Sequence, residues 1–298
     1  MSTSCSSCSG GQGGSQGGSH DAGLSMQDEL IKSTLAKIRY KLFVMSGKGG
    51  VGKSSVAVNL AAALAAMGKK VGLMDVDIHG PSVANLLGLE GGLEVHKGEL
   101  FLPKQYNENL SAVSMDTLLK DRDQAVLWRG PMKHSAIRQF IADVMWGELD
   151  FLVIDSPPGT GDEHMTVLKT IPDALCVIVT TPQEVSLADV RKAINFLQYA
   201  QANVLGVVEN MSGLICPHCK EEISLFKKGG GRDLADKYGL SFLGAVPLDP
   251  ATVVAGDLGK PVVLMEEDFP AKEAFLEIAR KTADAAESSL EIASTIHT

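Results

Sequence analysis

The run Gly47-Lys48-Gly49-Gly50-Val51-Gly52-Lys53-Ser54 has the spacing G-x-x-x-x-G-K-[ST], a pattern whose chemistry is phosphate binding. Its glycines allow a tight turn in which successive backbone N–H groups point inward at phosphate oxygens. The amino end of the helix that follows adds partial positive charge at the same spot. In such a loop Lys53 reaches the β- and γ-phosphates of a nucleotide, and Ser54, with Ser55 beside it, supplies a hydroxyl for Mg2+. Asp75 and Asp77 follow the apolar run 71–74, and Asp155 closes the run 151–154. All three therefore fall where strands end and open α/β sheets bind ligands. Asp155 is the natural carboxylate for hydrated Mg2+, with Asp75 as a second candidate. Pro157-Pro158-Gly159-Thr160-Gly161 comes next, a loop able to sense a γ-phosphate and move once it is lost. Taken singly, each aspartate reads equally well as a helix cap or a solvated turn. The phosphate loop beside them favours the chemical reading.

The five cysteines form two C-x-x-C pairs, Cys5/Cys8 and Cys216/Cys219, and a lone Cys176. An odd count in a chain of this length argues against a disulfide framework. Cys176 lies inside the apolar run 174–180 and reads as a buried small hydrophobe. Cys216-Pro217-His218-Cys219 offers two thiolates to one metal or to one edge of an iron–sulfur cluster. The spacing also suits a redox pair or a zinc site, although His218 is awkwardly placed to bind the same ion as its neighbours. Two ligands per chain fall short of tetrahedral zinc or a [4Fe–4S] cluster, whereas a two-fold dimer supplies four.

A scaffold must bring these residues together. From Lys41 onward short apolar runs alternate with helical stretches, with strands expected over 42–45, 71–74, 112–115, 151–154, 175–179, 204–208 and 242–246. Helices are expected over 54–67, 134–145, 187–200, 231–238 and 271–290. Continuous apolar strands between helices imply a doubly wound, mainly parallel sheet of P-loop NTPase type, an α/β fold. The stretch 93–103 reads as a hairpin insertion. Ahead of this domain, residues 1–20 hold six glycines and seven serines, too little apolar surface to offset ordering, so residues 1–23 read as a flexible tail carrying Cys5 and Cys8. An N-terminal segment 24–40 follows, with a helix over 26–39 started by Ser25 and Asp28, and a single ATPase domain over 41–298. Hydrophobic residues make up 45% of the 298-residue chain, enough for a packed core. Its net charge of −9 disfavours nucleic acid as a partner. No apolar run reaches the roughly 18 residues a membrane span needs, and no secretory signal is present, so a cytoplasmic location is expected.

Lys48, a second lysine just after the loop's first glycine, makes the loop resemble the deviant Walker A of the MinD/ParA superfamily. That resemblance implies a homodimer closing around two ATP molecules, with Lys48 reaching the partner's nucleotide and Asp77 orienting the attacking water. Segments 46–60, 75–82, 128–132, 150–162, 209–219, 229–234 and 247–250 together resemble the Mrp (ApbC) family of iron–sulfur cluster carrier ATPases, over about residues 41–263. The resemblance implies a labile [4Fe–4S] cluster held by Cys216 and Cys219 across the dimer and passed to apo iron–sulfur proteins, with slow ATP hydrolysis. It also implies that Asn210 contacts the adenine ring. Eukaryotic members carry a four-cysteine N-terminal motif, of which this chain has only Cys5 and Cys8. Ser55 stands where threonine is usual. Two alternatives remain. One is a MinD/ParA-like positioning ATPase, against which the tail 271–298 holds three basic and five acidic residues, the wrong balance for an anionic membrane. The other is a zinc-stabilised P-loop ATPase dimer.

Overall fold

The computed structural model describes residues 18–77, 80–96, 100–118, 130–216, 219 and 221–296. A helix, α1 (Gly18–Leu35), leads into β1 (Ile38–Ser46), and the phosphate-loop sequence joins β1 to α2 (Lys53–Ala66). Next come β2 (Val71–Asp75), the one-turn α3 (Val83–Leu86) and a hairpin of β3 (Glu94–His96) and β4 (Leu100–Leu102). The short β5 (Lys104–Gln105) runs back against β6 (Leu110–Ser114). The second half continues with α4 (Gly130–Asp143), β7 (Leu149–Asp155), α5 (Asp162–Thr170), β8 (Leu175–Thr180), α6 (Glu184–Tyr199) and β9 (Asn203–Glu209). A small hairpin of β10 (Leu214–Ile215) and β11 (Glu222–Ile223) stands outside the main sheet. The chain finishes with α7 (Gly230–Tyr238), β12 (Phe242–Ala245), α8 (Pro250–Asp257) and α9 (Pro270–Ile296).

The main sheet has eight strands in the order β12-β9-β8-β1-β7-β2-β6-β5, parallel except for the β5 edge. Strands β7 and β8 follow one another in sequence but flank β1 on opposite sides. The winding therefore reverses at β1, and the crevice at its carboxyl end is where such a sheet binds ligands. Along β1, Leu42 and Val44 join one core while Phe43 and Met45 join the other, which is why the run is apolar throughout. Helix α2 is buried almost all round, with Ala57, Ala61 and Leu64 in one core with Phe275, Ile278 and Ala283 of α9. Small alanines let the two helices and the sheet approach closely.

All seven expected strands form, and 93–103 forms a hairpin. Two expectations are corrected. The first helix starts at Gly18 and ends at Leu35 rather than spanning 26–39, so residues 18–23 are helical; residues 1–17, with Cys5 and Cys8, lie outside the described residues. Ile38 and Tyr40 pair with Leu149 and Phe151 in β1, because sheet pairing and burial outweigh a local helical period. Helices α3, α5 and α8 were not legible as apolar-periodic segments, being only four, nine and eight residues long.

Candidate functional site

The phosphate loop is shaped by backbone conformations only glycine adopts cheaply: φ is +79° at Gly50 and +77° at Gly52. A Cβ on Gly52 would lie 2.3 Å from the Asn210 amide nitrogen. That amide is part of the loop's support, since Asn210 Nδ2 donates to the Val51 carbonyl at 2.9 Å. At the start of the loop Ser46 Oγ donates to the Lys48 carbonyl at 2.9 Å. Gly47 packs so tightly on α6 that a Cβ would come within 2.4 Å of the Asp189 backbone. Residues Lys48 through Ser55 line a cavity of about 330 Å³ together with Asp77 and Pro158.

Of the carboxylates, Asp77 lines this cavity, while Asp75 and Asp155 are fully buried, Asp155 against Lys53 of the loop. Asp75 and Asp155 are register partners at the ends of β2 and β7. Asp155 Oδ1 accepts from Lys53 Nζ at 2.6 Å, a pair with both side chains buried, and the same ammonium lies 3.2 Å from Ser54 Oγ. Burial raises the Asp155 carboxyl above the usual carboxylate range, against the pull of Lys53. The other oxygen, Oδ2, is buried with no hydrogen-bond partner among the described residues. A buried carboxylate oxygen beside a serine hydroxyl at a phosphate cavity is a donor set that fits Mg2+. Asp75 is committed differently. Its oxygens accept from Asp77 N, Ser82 N, Val83 N and Ser114 Oγ at 3.0–3.2 Å, and so it organises the loop that carries Asp77. Burial, then the Asp155 charge, pushes it up to about 7. Asp77 is buried and accepts from Gly80 N at 3.2 Å.

A second cavity of about 260 Å³ adjoins the first, sharing Gly52, Ser55 and Leu86. Asn210, Met211, Leu248 and Val253 line it, a mostly apolar wall of the kind that receives a flat base while the loop holds phosphates. Beyond its wall stands the cysteine arm. Cys216 N donates to the Glu221 carbonyl at 2.9 Å across the β10–β11 hairpin, with Cys216 half-buried and Cys219 exposed. A third cavity of about 310 Å³ is lined by Cys216 and, on its far side, by Phe269 and Pro270. Among the described residues no three His, Cys, Asp or Glu converge as a metal site, and the arm contributes two thiols, Cys216 and Cys219. Cys176 is buried in β8 and its thiol is pushed up to about 12 by burial, in keeping with an inert core residue.

The fold thus gathers Gly47 through Ser55, Asp75, Asp77, Asp155 and Asn210 around one crevice, with the Cys216/Cys219 arm next to it. Pro217 and His218 of the arm, and Trp128 and Arg129 of the 128–132 segment, lie outside the described residues. Sequence reasoning missed two supporting residues. Glu209, wholly buried at the end of β9, accepts from Ser212 Oγ and from Gly229 N and Gly231 N at the amino end of α7. Asp249 caps α8 through Ala251 N at 2.9 Å and reaches Ala271 N of α9 at 3.3 Å. An Asp followed by Pro at a helix start was the available signal for Asp249; Glu209 had none.

Residues 37–283 match the ParA family model described as NUBPL iron-transfer P-loop NTPase. The iron-sulfur cluster carrier protein of Methanocaldococcus jannaschii is 45% identical over 90% of this chain and 92% of its own. The human cytosolic Fe-S cluster assembly factor NUBP2 is 45% identical over 89% of this chain and 100% of its own. Among solved structures, a nucleotide-binding protein in complex with ADP from Archaeoglobus fulgidus is 39% identical with a TM-score of 0.70, covering 82% of this chain and 98% of that one. The Pyrococcus furiosus cell division ATPase MinD shares the fold at 22% identity and a TM-score of 0.60, covering 82% and 98%.

Proposed function

Since the chain belongs to the NUBPL iron-transfer P-loop NTPase family, we propose that it is an ATP-dependent iron–sulfur cluster carrier. In this reading two chains form a homodimer, the four thiols of two Cys216/Cys219 arms hold one [4Fe–4S] cluster as cargo, and the cluster passes to apo iron–sulfur proteins. The observation that carries the reading is the pairing, in one chain, of a phosphate cavity with an exposed two-thiol arm that shares a wall with the neighbouring base-sized cavity. A positioning ATPase has no use for such an arm, and the names of relatives at 45% identity favour carriage. The cytoplasm is the proposed location; among the described residues no helix is long and apolar enough to cross a membrane.

Ser54 and Asp155 would hold Mg2+, with Asp75 as the neighbouring buried carboxylate. The ion would neutralise charge developing on the β- and γ-phosphates. The chain's own groups do the rest. Loop N–H groups and Lys53 bind the phosphates, and Lys48 would reach the nucleotide of the partner chain. Asn210 would border the adenine. Asp77, held at the cavity by the Asp75 and Gly80 contacts, would orient the attacking water. Hydrolysis is slow in this scheme and regulatory, with nucleotide state altering cluster affinity or partner docking.

Anaerobic reconstitution with iron and sulfide tests the proposal, with iron and zinc counted per dimer in wild type and in Cys216→Ala/Cys219→Ala. About four iron atoms per dimer, absent from the double variant and transferable to an apoprotein, are expected. Tightly held zinc with no cluster would overturn carriage and leave a metal-stabilised ATPase.

A further inference from the structure

We propose that Asn210 is a positioning residue that joins the phosphate loop to the cysteine arm, so that bound nucleotide sets the exposure of Cys216 and Cys219. The inference deepens the carrier reading and rests on it only for the identity of the cargo. The geometry is a continuous chain of short contacts. Asn210 is buried, its side chain donates to Val51 within the loop at 2.9 Å, and its backbone N–H donates to the Thr180 carbonyl of β8 at 2.7 Å. Any shift of residues 51–52 therefore acts on Asn210, which packs so close to Gly52 that a Cβ there would fall 2.3 Å from its amide nitrogen.

The arm departs directly from this residue. Met211 adopts φ +56° and Gly213 φ +75°, a tight path held at each step. Ser212 N donates to the Val246 carbonyl at 2.8 Å and its hydroxyl to Glu209. Leu248 N donates to the Gly213 carbonyl at 2.7 Å, and Leu214 bridges to Leu248. Cys216 follows at once. The segment Pro247, Leu248 and Asp249 thus has two faces, one lining the base-sized cavity and the other lining the cavity of Cys216. Nucleotide seated in the crevice touches the root of the arm through Asn210 and its flank through Leu248. A hydrogen-bonded element with ligand on one face and thiols on the other is a contiguous network of the kind that can carry coupling between two sites.

The test reads thiol exposure and needs no cluster. Full-length, metal-free protein is alkylated with iodoacetamide in the presence of Mg·ADP, a non-hydrolysable Mg·ATP analogue, or neither, and peptide mapping by mass spectrometry separates Cys216 and Cys219 from the other cysteines. Saturating nucleotide is expected to change the rate at Cys216 by at least about fivefold. Ser212→Ala, which cuts the arm's tie to Glu209 without touching either cavity, is expected to bring that ratio below about twofold while nucleotide affinity, measured by fluorescent-analogue titration, is kept. Asn210→Asp, which cannot donate to Val51, is expected to abolish the ratio and weaken nucleotide binding as well. Rates indifferent to nucleotide in wild type would overturn the proposal. So would Ser212→Ala and Asn210→Asp variants that respond as wild type does. A ratio that grows with protein concentration would also overturn it, since the thiols would then be shielded by a second chain. None of these outcomes bears on whether the arm carries a cluster, which the iron count decides separately.

Discussion

Replacing Lys53 with methionine isolates the electrostatics of the phosphate crevice from nucleotide chemistry. The ammonium lies 2.6 Å from Asp155 Oδ1, with side chains 7% and 0% exposed. At an effective dielectric of about 20 the attraction is about 6 kcal/mol. Desolvation of both ions offsets part of that, and removing one member of a buried pair typically costs about 3–5 kcal/mol because the other charge is stranded. Asp155 is already raised by burial, and Asp75 beside it is pushed up to about 7. Without Lys53 this carboxylate pair takes up protons more readily, so the loss should be smaller at pH 6 than at pH 8. Urea unfolding in EDTA, free of nucleotide, is the assay. The expected result is a loss of about 4 kcal/mol at pH 8, clearly less at pH 6, and recovery of most of it in Lys53→Met/Asp155→Asn. A loss under about 1 kcal/mol at pH 8, or a double variant no more stable than Lys53→Met, would refute the reasoning.

Other perturbations follow from single positions. Gly52→Ala places a Cβ against the Asn210 amide at φ +77° and should destabilise by about 1–3 kcal/mol and abolish nucleotide binding, which calorimetric titration with ADP would show. His164, buried on α5 with Nδ1 accepting from Gly161 N, is lowered to about 4 by burial. The unfolded imidazole takes its proton near 6.5 and the folded one only near 4, so its contribution is intact above pH 6.5 and lost as pH falls toward 4. The loss amounts to about 3 kcal/mol, and denaturant melts across that window should flatten in His164→Phe. Asp249→Ala removes the N-cap of α8 and a contact to α9 and should lower stability by about 1–2 kcal/mol, read as a shift in the urea midpoint.

The sheet and the phosphate crevice were legible because their signals are local. An eight-residue loop with fixed spacing, and aspartates at the ends of apolar runs, name both the strands and the ligand chemistry without reference to the rest of the chain. The Lys53–Asp155 pair joins the first residue of α2 to the end of β7, which only tertiary packing makes neighbours, and no pattern in the sequence announces it. The same holds for Asn210: its motif suggested a base contact, while its bond to Val51 depends on β9 ending beside the loop. The β10–β11 hairpin that presents Cys216 was hidden because two-residue strands leave no periodic trace. The end of α1 was misplaced because Ile38 continues a helical stripe but is buried as a strand residue.

The enclosure of α2 has a consequence for how the protein is made. The helix that receives the phosphate loop is walled in on one side by α9, the last of the described elements, and β1 pairs with β7 and β8, made much later. A polypeptide emerging from the ribosome amino end first leaves the face of α2 that meets α9 uncovered until residues 270–296 have been made. The core of the domain is therefore closed late in its synthesis rather than element by element. A message truncated before α9 would yield a chain with its central helix uncovered, a substrate for chaperones and proteases, and the cell would be spared a nucleotide-binding fragment that lacks its last wall.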